Sequence, residues 1–313
     1  MFIVKYRKIF FGISIVLVLA SIVGFVFFPV RSSIEFTGGS NLVIEVENAE
    51  NLPAPRDVVE YLYTVGVSSS LVQPIGESGL SIKTSPIDEA TKNQIVSGMS
   101  SFFGQNFVIE SFTTIGPSIG NELLKKSWYA LVLVVLSIVL YIAYTFRRVS
   151  SSSKDTHKGV SSWKYGFTAN ICLLHDVILT SGFYVILSIT SGAELNTLFV
   201  VAILTVLGVS VNDTIVVFDR IRENLLKDQE KRGSDTFEQI VGKSIDETMS
   251  RSINTSLAVV LVLLALVLYG PETTKLFSLT MMVGMIVGTF SSIFLASPLL
   301  VVWEKLQNKK AKK

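Results

Sequence analysis

Leu195-Asn-Thr-Leu-Phe-Val-Val-Ala-Ile-Leu-Thr-Val-Leu-Gly-Val-Ser-Val-Asn-Asp-Thr-Ile-Val-Val-Phe218 decides how this chain is read. A helix needs about 20 apolar residues to cross a hydrocarbon core of about 30 Å. This run is long enough, and its flanks stay apolar around one ionisable residue, Asp213. Five further segments match it: Ile9–Pro29, Ser127–Phe146, Tyr165–Thr190, Ser252–Tyr269 and Leu276–Trp303. Over its 313 residues the chain is 49% hydrophobic and 17% charged. A soluble domain carries about a quarter charged residues, so the deficit points to a bilayer. The fold class expected is an α-helical membrane bundle of six transmembrane helices.

The N-terminus imitates a signal peptide, with Lys5, Arg7 and Lys8 before an apolar run. That run extends from Ile9 to Val30, beyond the ~7–15 residues of a signal core, and no small-x-small site closely follows it. It reads as a retained first span. Basic residues set the orientation. They precede span one and fill the loops at 147–164 (Arg147, Arg148, Lys154, Lys158, Lys164) and 219–251 (from Arg220 and Arg222 to Lys243 and Arg251). They also crowd the tail from Lys305 to Lys313, whereas the short loops at Ser191–Glu194 and Gly270–Lys275 hold one lysine between them. Both termini are therefore expected in the cytoplasm, which only an even number of spans permits. The organisation expected is residues 1–30 as N-terminus and first span, 31–121 as an extracytoplasmic domain, and 122–313 as spans two to six.

The outer piece reads β-α-β-β-α-β, the order of a ferredoxin-like α+β unit. Ile34–Glu47 alternates at Leu42, Ile44 and Val46 as a strand does. Pro55 to Thr64 is a helix, Ser70–Pro74 and Leu80–Thr84 are strands, Pro86 to Phe103 is a second helix, and Phe107–Ile115 closes the set.

Ionisable residues inside a membrane are expensive and usually face the bundle interior. Asp213 qualifies first. Arg251 opens span five, with Asn254, Thr255 and Ser256 behind it and Asn212 beside the aspartate as further polar candidates. An Asp213–Arg251 pair would form a charge-assisted hydrogen bond that protonation releases. The alternative is a structural pair that fixes helix register, with Arg251 snorkelling to the surface. His175-Asp176 in span three is the second candidate, either a proton relay or an aspartate hydrogen-bonded to nearby Asn or Ser. Thr280, Gly284, Gly288 and Ser292 repeat every four residues, a small-residue stripe for close helix packing. Glu35-Phe-Thr-Gly38-Gly39 and Gly116-Pro117-Ser-Ile-Gly120 read as joints between the outer domain and the bundle. From Asp219 to Ser250, alternating charged and apolar residues predict two amphipathic cytoplasmic helices on the membrane surface or against a partner, the alternative being a solvated charged linker.

The single cysteine, Cys172, permits no intrachain disulfide or thiolate cluster, and its expected role is packing. No P-loop, nucleotide-binding glycine pattern or metal-ligand cluster occurs, so neither an ATPase, a metal nor a cofactor is expected. The net charge of +2 carries no sign of nucleic-acid binding.

Five motifs together resemble the SecF family of the bacterial SecD–SecF accessory complex, within the RND superfamily of proton-coupled transporters. They are Ile34-Glu-Phe-Thr-Gly-Gly39, Ile115-Gly-Pro-Ser-Ile-Gly120, Leu174-His-Asp176, Val211-Asn-Asp-Thr-Ile-Val-Val-Phe-Asp-Arg-Ile-Arg-Glu-Asn224 and Arg251-Ser-Ile-Asn-Thr255. The resemblance covers nearly the whole chain, and the span-four motif is its most specific part. Family members usually carry Asp where this chain has Glu35. Asn212-Asp213-Thr214 matches the SecF version of the motif rather than that of the related SecD. The resemblance implies a multi-pass protein of the bacterial cell membrane that works with SecD, the SecYEG channel and a YidC-type insertase. Driven by the proton gradient, it would help draw preproteins outward after the ATP-driven SecA step. It also implies that Asp213 is the intramembrane proton site and Arg251 its partner. Three rivals stay open on the residues alone: a stand-alone RND exporter, a membrane scaffold, and an aspartyl protease using Asp176 and Asp213. The protease would need facing carboxylates, typically one of them in a Gly-x-Gly-Asp setting that Val211-Asn212-Asp213 does not provide.

Overall fold

The computed structural model describes residues 2–46, 52–67, 70–104, 106–145, 162–231 and 235–311. Glu47 of the first expected strand, the loop cations Arg147, Arg148, Lys154 and Lys158, and also Arg232, Lys312 and Lys313 lie outside the described residues. Contacts divide the chain into two compact units. One comprises 1–30, 130–193 and 198–313; the other comprises 31–129 and the four residues 194–197.

The first unit is the membrane bundle. Six helices are long and apolar enough to span a bilayer. We number them as spans one to six: Arg7–Phe27, Pro117–Thr145, Ser162–Ser191, Thr197–Glu230, Phe237–Tyr269, and Glu272 to Ala311 in three pieces. The protein is a multi-pass membrane protein. Span five packs on six, six on three, and one on three. The core they enclose holds Cys172, Ile203, Leu207, Phe218, Ile293 and Leu300, all buried. Span six is interrupted at Ser292–Ala296 by a π-helical turn between α-helical pieces ending at Ser291 and starting at Ser297. Such insertions mark places where the regular ladder is broken for a local purpose.

Spans four and five run well past their apolar stretches. Span four has 34 residues, ~51 Å at 1.5 Å per residue, against a hydrocarbon core of ~30 Å. The two separate amphipathic helices expected between Asp219 and Ser250 are therefore the continuous ends of these spans. The reason lies in the charges themselves. Arg220 pairs with Glu223 at i+3 and Glu223 with Lys227 at i+4, which supports helix where hydropathy fails. Between the two helices Arg220 reaches Glu247 at 2.6 Å, and Asn224 donates to Ser244 at 3.0 Å. Thr236 and Gln239 form a reciprocal capping box at the start of span five. Glu238, in the first turn, is bonded by both Arg7 and Lys305.

The second unit carries a four-stranded sheet, β1 (Gly39–Val46), β2 (Ser70–Ile75), β3 (Gly79–Thr84) and β4 (Phe107–Ile115), in the order β2-β3-β1-β4. Every neighbouring pair is antiparallel. Helices Pro55–Thr64 and Glu89–Phe103 complete the β-α-β-β-α-β order. Pro55 starts the first helix, where its missing N–H is no loss. Asp88 caps the second by accepting from Thr91 N at 2.8 Å, which holds its carboxyl below the usual range. Leu42, Ile44 and Val46 of β1 meet Leu80 and Ile82 of β3 and Val58, Leu62, Ile95 and Met99 of the helices in one buried core. β1 begins later than expected. Ile34–Thr37 is a helical turn capped by Ser33, and Gly38, at φ 78°, ends it before the strand begins.

Candidate functional site

Two carboxylates lie midway along membrane helices. Asp176, near the centre of span three, is completely buried. Ser210 of span four and Ser291 of span six both donate to its Oδ2, the latter at 2.8 Å. Its own neighbour, His175, brings Nδ1 to 2.9 Å from Oδ1. Three spans are thus tied at one carboxylate. The hydroxyls could reach it because Gly288 leaves no side chain in the way. A Cβ there would stand 3.0 Å from Ser210 Cβ. At Gly284, one turn earlier, a Cβ would meet Val206. The small-residue stripe of span six therefore lets span four close in beside Asp176. On its other side, His175 lines an apolar groove of about 410 Å³ between spans one, three and six. His175 Nε2 and Ser14 Oγ, both buried at the groove, make no hydrogen bond among the described residues.

Asp213 is held differently. It sits on span four, 7% exposed. Ser256 of span five donates to its Oδ2 at 3.4 Å, at the limit of a hydrogen bond. Thr289 of span six approaches the same carboxylate, while its hydroxyl lies 2.5 Å from Ser256 Oγ and 2.9 Å from Met285 O. A short polar line thus crosses spans four, five and six. Arg251 does not join it directly: no ion pair or hydrogen bond links it to Asp213 among the described residues, although its charge acts on the aspartate. The reason is axial. Ser256 is the span-five residue level with Asp213, and Arg251, five residues earlier, lies about 7.5 Å lower along the helix. Arg251 is exposed, as are Asn212, Asn254 and Thr255. Thr255 turns its hydroxyl back to Arg251 O at 3.0 Å within its own helix. Spans four and five thus present an uncovered polar strip beside Asp213.

Sequence reasoning named the two aspartates, and Ser256, but missed Ser210, Thr289 and Ser291. Ser210 was findable: three residues before Asp213, it lies one turn away on the same helix, beside a known polar position. Ser291 and Thr289 had no comparable marker, because hydroxyl residues are ordinary in membrane helices.

The two expected joints come together within the second unit. A Cβ on Gly38 would fall 2.7 Å from Pro117 Cα, and one on Gly120 would fall 2.9 Å from Phe36 O. Backbone therefore lies on backbone where the Glu35–Gly39 and Gly116–Gly120 stretches cross. Glu35 itself accepts from Thr197 N at 2.7 Å.

Comparison with known proteins finds relatives along almost the whole chain. The family described as protein export membrane protein SecD/SecF, C-terminal, matches residues 95–154 and 160–306. A protein translocase subunit SecF from Thermobaculum terrenum is 38% identical, aligned over 96% of this chain and 93% of its own. Another from Anaerolinea thermophila is 36% identical over 95% and 92%. Among solved structures, the SecDF crystal structure from Thermus thermophilus, titled a translocon-associated membrane protein, superposes with a TM-score of 0.80 at 26% identity. That match covers 96% of this chain but only 38% of the SecDF chain.

Proposed function

Because the chain belongs to the SecF family of protein translocase subunits, we propose that it is the proton-coupled half of a Sec export complex completed by a SecD subunit. SecDF carries a further 62% of chain beyond the matched part, taking 100% less the matched 38%, and a SecD partner would supply the equivalent here. The polar strip of Asn212, Arg251, Asn254 and Thr255 supports such a partner. Side chains of this kind are costly against lipid and are covered in an assembled bundle. In this reading the basic loops and both termini face the cytoplasm. The β-sheet unit lies on the outer side and meets preprotein emerging from SecYEG after SecA has acted, with a YidC-type insertase nearby.

The observation that carries the proposal is the loose hold on Asp213: a mid-span carboxylate with a 3.4 Å bond to Ser256, Thr289 close by, and the charge of Arg251 within electrostatic reach but, among the described residues, not paired with it. When ionised, Asp213 draws on Arg251; when protonated, it releases it and becomes a donor to its neighbours. Spans four and five thus have two preferred arrangements, selected by one proton. Moving one charge through 100 mV supplies about 2.3 kcal/mol, which shifts a two-state equilibrium about fiftyfold. The test is gradient-dependent export in vesicles carrying Asp213→Asn, with assembly measured alongside. Export that falls to the gradient-independent level in an assembled complex supports proton coupling at Asp213. Unchanged export removes Asp213 from the pathway.

A further inference from the structure

Span four is the helix that carries Asp213, and its first residue, Thr197, belongs to the β-sheet unit together with Glu194, Leu195 and Asn196. These four residues are fastened to β3 and to the segment before β1 by several independent bonds. Ser33 N donates to Leu195 O at 2.9 Å and Leu195 N to Arg31 O at 2.9 Å, making a parallel bridge between Ser32 and Leu195. Lys83 of β3 forms an ion pair with Glu194 at 2.9 Å, its side chain 20% exposed and that of Glu194 10%. Glu35 accepts from Thr197 N at 2.7 Å.

Each bond has a physical reason to be firm. The N–H groups of a helix's first turn lack partners within the helix and carry its positive end, so a carboxylate there is favoured. The Lys83–Glu194 pair is largely withdrawn from water, where a charge pair is screened less than on an open surface. Glu35 stands on the turn that Ser33 caps and that Gly38 packs against Pro117. Its backbone is therefore held in place. An α-helix is stiff over the sixteen residues between Thr197 and Asp213, about 24 Å.

We propose that Glu35 and the Lys83–Glu194 pair are coupling residues: they make the first residues of the Asp213 helix part of the β-sheet unit, so that axial or rotational shifts of that helix are delivered to β1 and β3. The inference rests on the reading of Asp213 as the proton site. It adds the route by which a change at Asp213 leaves the membrane.

Charge reversal tests it in the assembled full-length complex. Lys83→Glu and Glu194→Lys are made singly and together, Glu35→Gln is made with Glu35→Asp as its conservative counterpart, and Asp213→Asn runs in parallel. The quantity read is the gradient-dependent part of export, with assembly as control. Each single reversal is expected to reduce it about tenfold, the equivalent of about 1.4 kcal/mol of lost coupling. The double reversal is expected to restore most of it, as a pairwise interaction requires. Glu35→Asp should retain more than Glu35→Gln. The proposal is overturned if single reversals leave export intact while Asp213→Asn abolishes it, and proton coupling at Asp213 then still stands. It is equally overturned if the double reversal repairs nothing in assembled complexes. If Asp213→Asn itself is harmless, the premise and the coupling route fall together.

Discussion

Asp176 and Asp213 are both mid-span carboxylates of one bundle, yet their surroundings are opposite. Asp176 has no exposed surface, two serine donors from two other spans and an imidazole at 2.9 Å. Asp213 keeps a little exposure, a long bond to Ser256 and a neighbouring strip of exposed polar side chains. A buried carboxylate whose acceptors are filled is a fastening, and removing it strands every donor that served it. One that is loosely held can change its proton or its partner without dismantling the bundle. The same residue type, one span apart, is thus bound by hydroxyls from two other spans in one place and held by a long bond beside exposed polar side chains in the other.

The contrast can be broken experimentally. The largest effect is expected from Asp176→Leu, which leaves the Ser210 hydroxyl and the His175 ring without their acceptor and Ser291 with Gly288 O alone. A loss of about 3 kcal/mol or more follows from ~1–3 kcal/mol per stranded polar group. Denaturant-driven unfolding of the detergent-solubilised chain would show it. Asp213→Leu in the same assay should cost less than half as much, and equal losses would erase the distinction drawn here. Next comes Gly288→Val, whose branched side chain must enter the space beside Ser210. Overpacking of this kind costs ~1–3 kcal/mol. Because it acts on Ser210, it should be non-additive with Ser210→Ala and additive with Ser256→Ala. The smallest effect is expected from Ser256→Ala itself, ~0.6 kcal/mol by the usual worth of an interhelical hydrogen bond in a membrane. That substitution should nevertheless change gradient-dependent export, because it removes the hydroxyl that holds Asp213 at 3.4 Å.

How far the sequence led differs between the same two sites. Both aspartates were conspicuous as charges in apolar runs, and all six spans were legible, the third and fourth from their apolar flanks rather than from hydropathy alone. The β-α-β-β-α-β order was legible from alternation and from Pro55 and the glycines. What escaped was whatever depends on helix rotation and depth. The expected Asp213–Arg251 contact ignored five residues of helical rise, and Ser256 holds the position instead. The ends of spans four and five were misread because hydropathy stops at Phe218 while the i+3 and i+4 ion pairs carry the helix to Glu230. Ile34 to Thr37 looked like strand because four residues are too few for periodicity to separate a turn of helix from an extended segment.

The crossing of Gly38 with Pro117 makes the sheet unit a cassette. The two ends of the stretch that holds the whole sheet meet there, an arrangement that favours exchange of an inserted domain. The clasp on Glu194 to Thr197 qualifies that freedom. A graft from another relative that kept only residues 31–129 would inherit the crossing but lose the clasp. A faithful exchange must carry the four residues that precede Leu198 as well, although sixty-four positions of sequence, 130 to 193, lie between the two pieces.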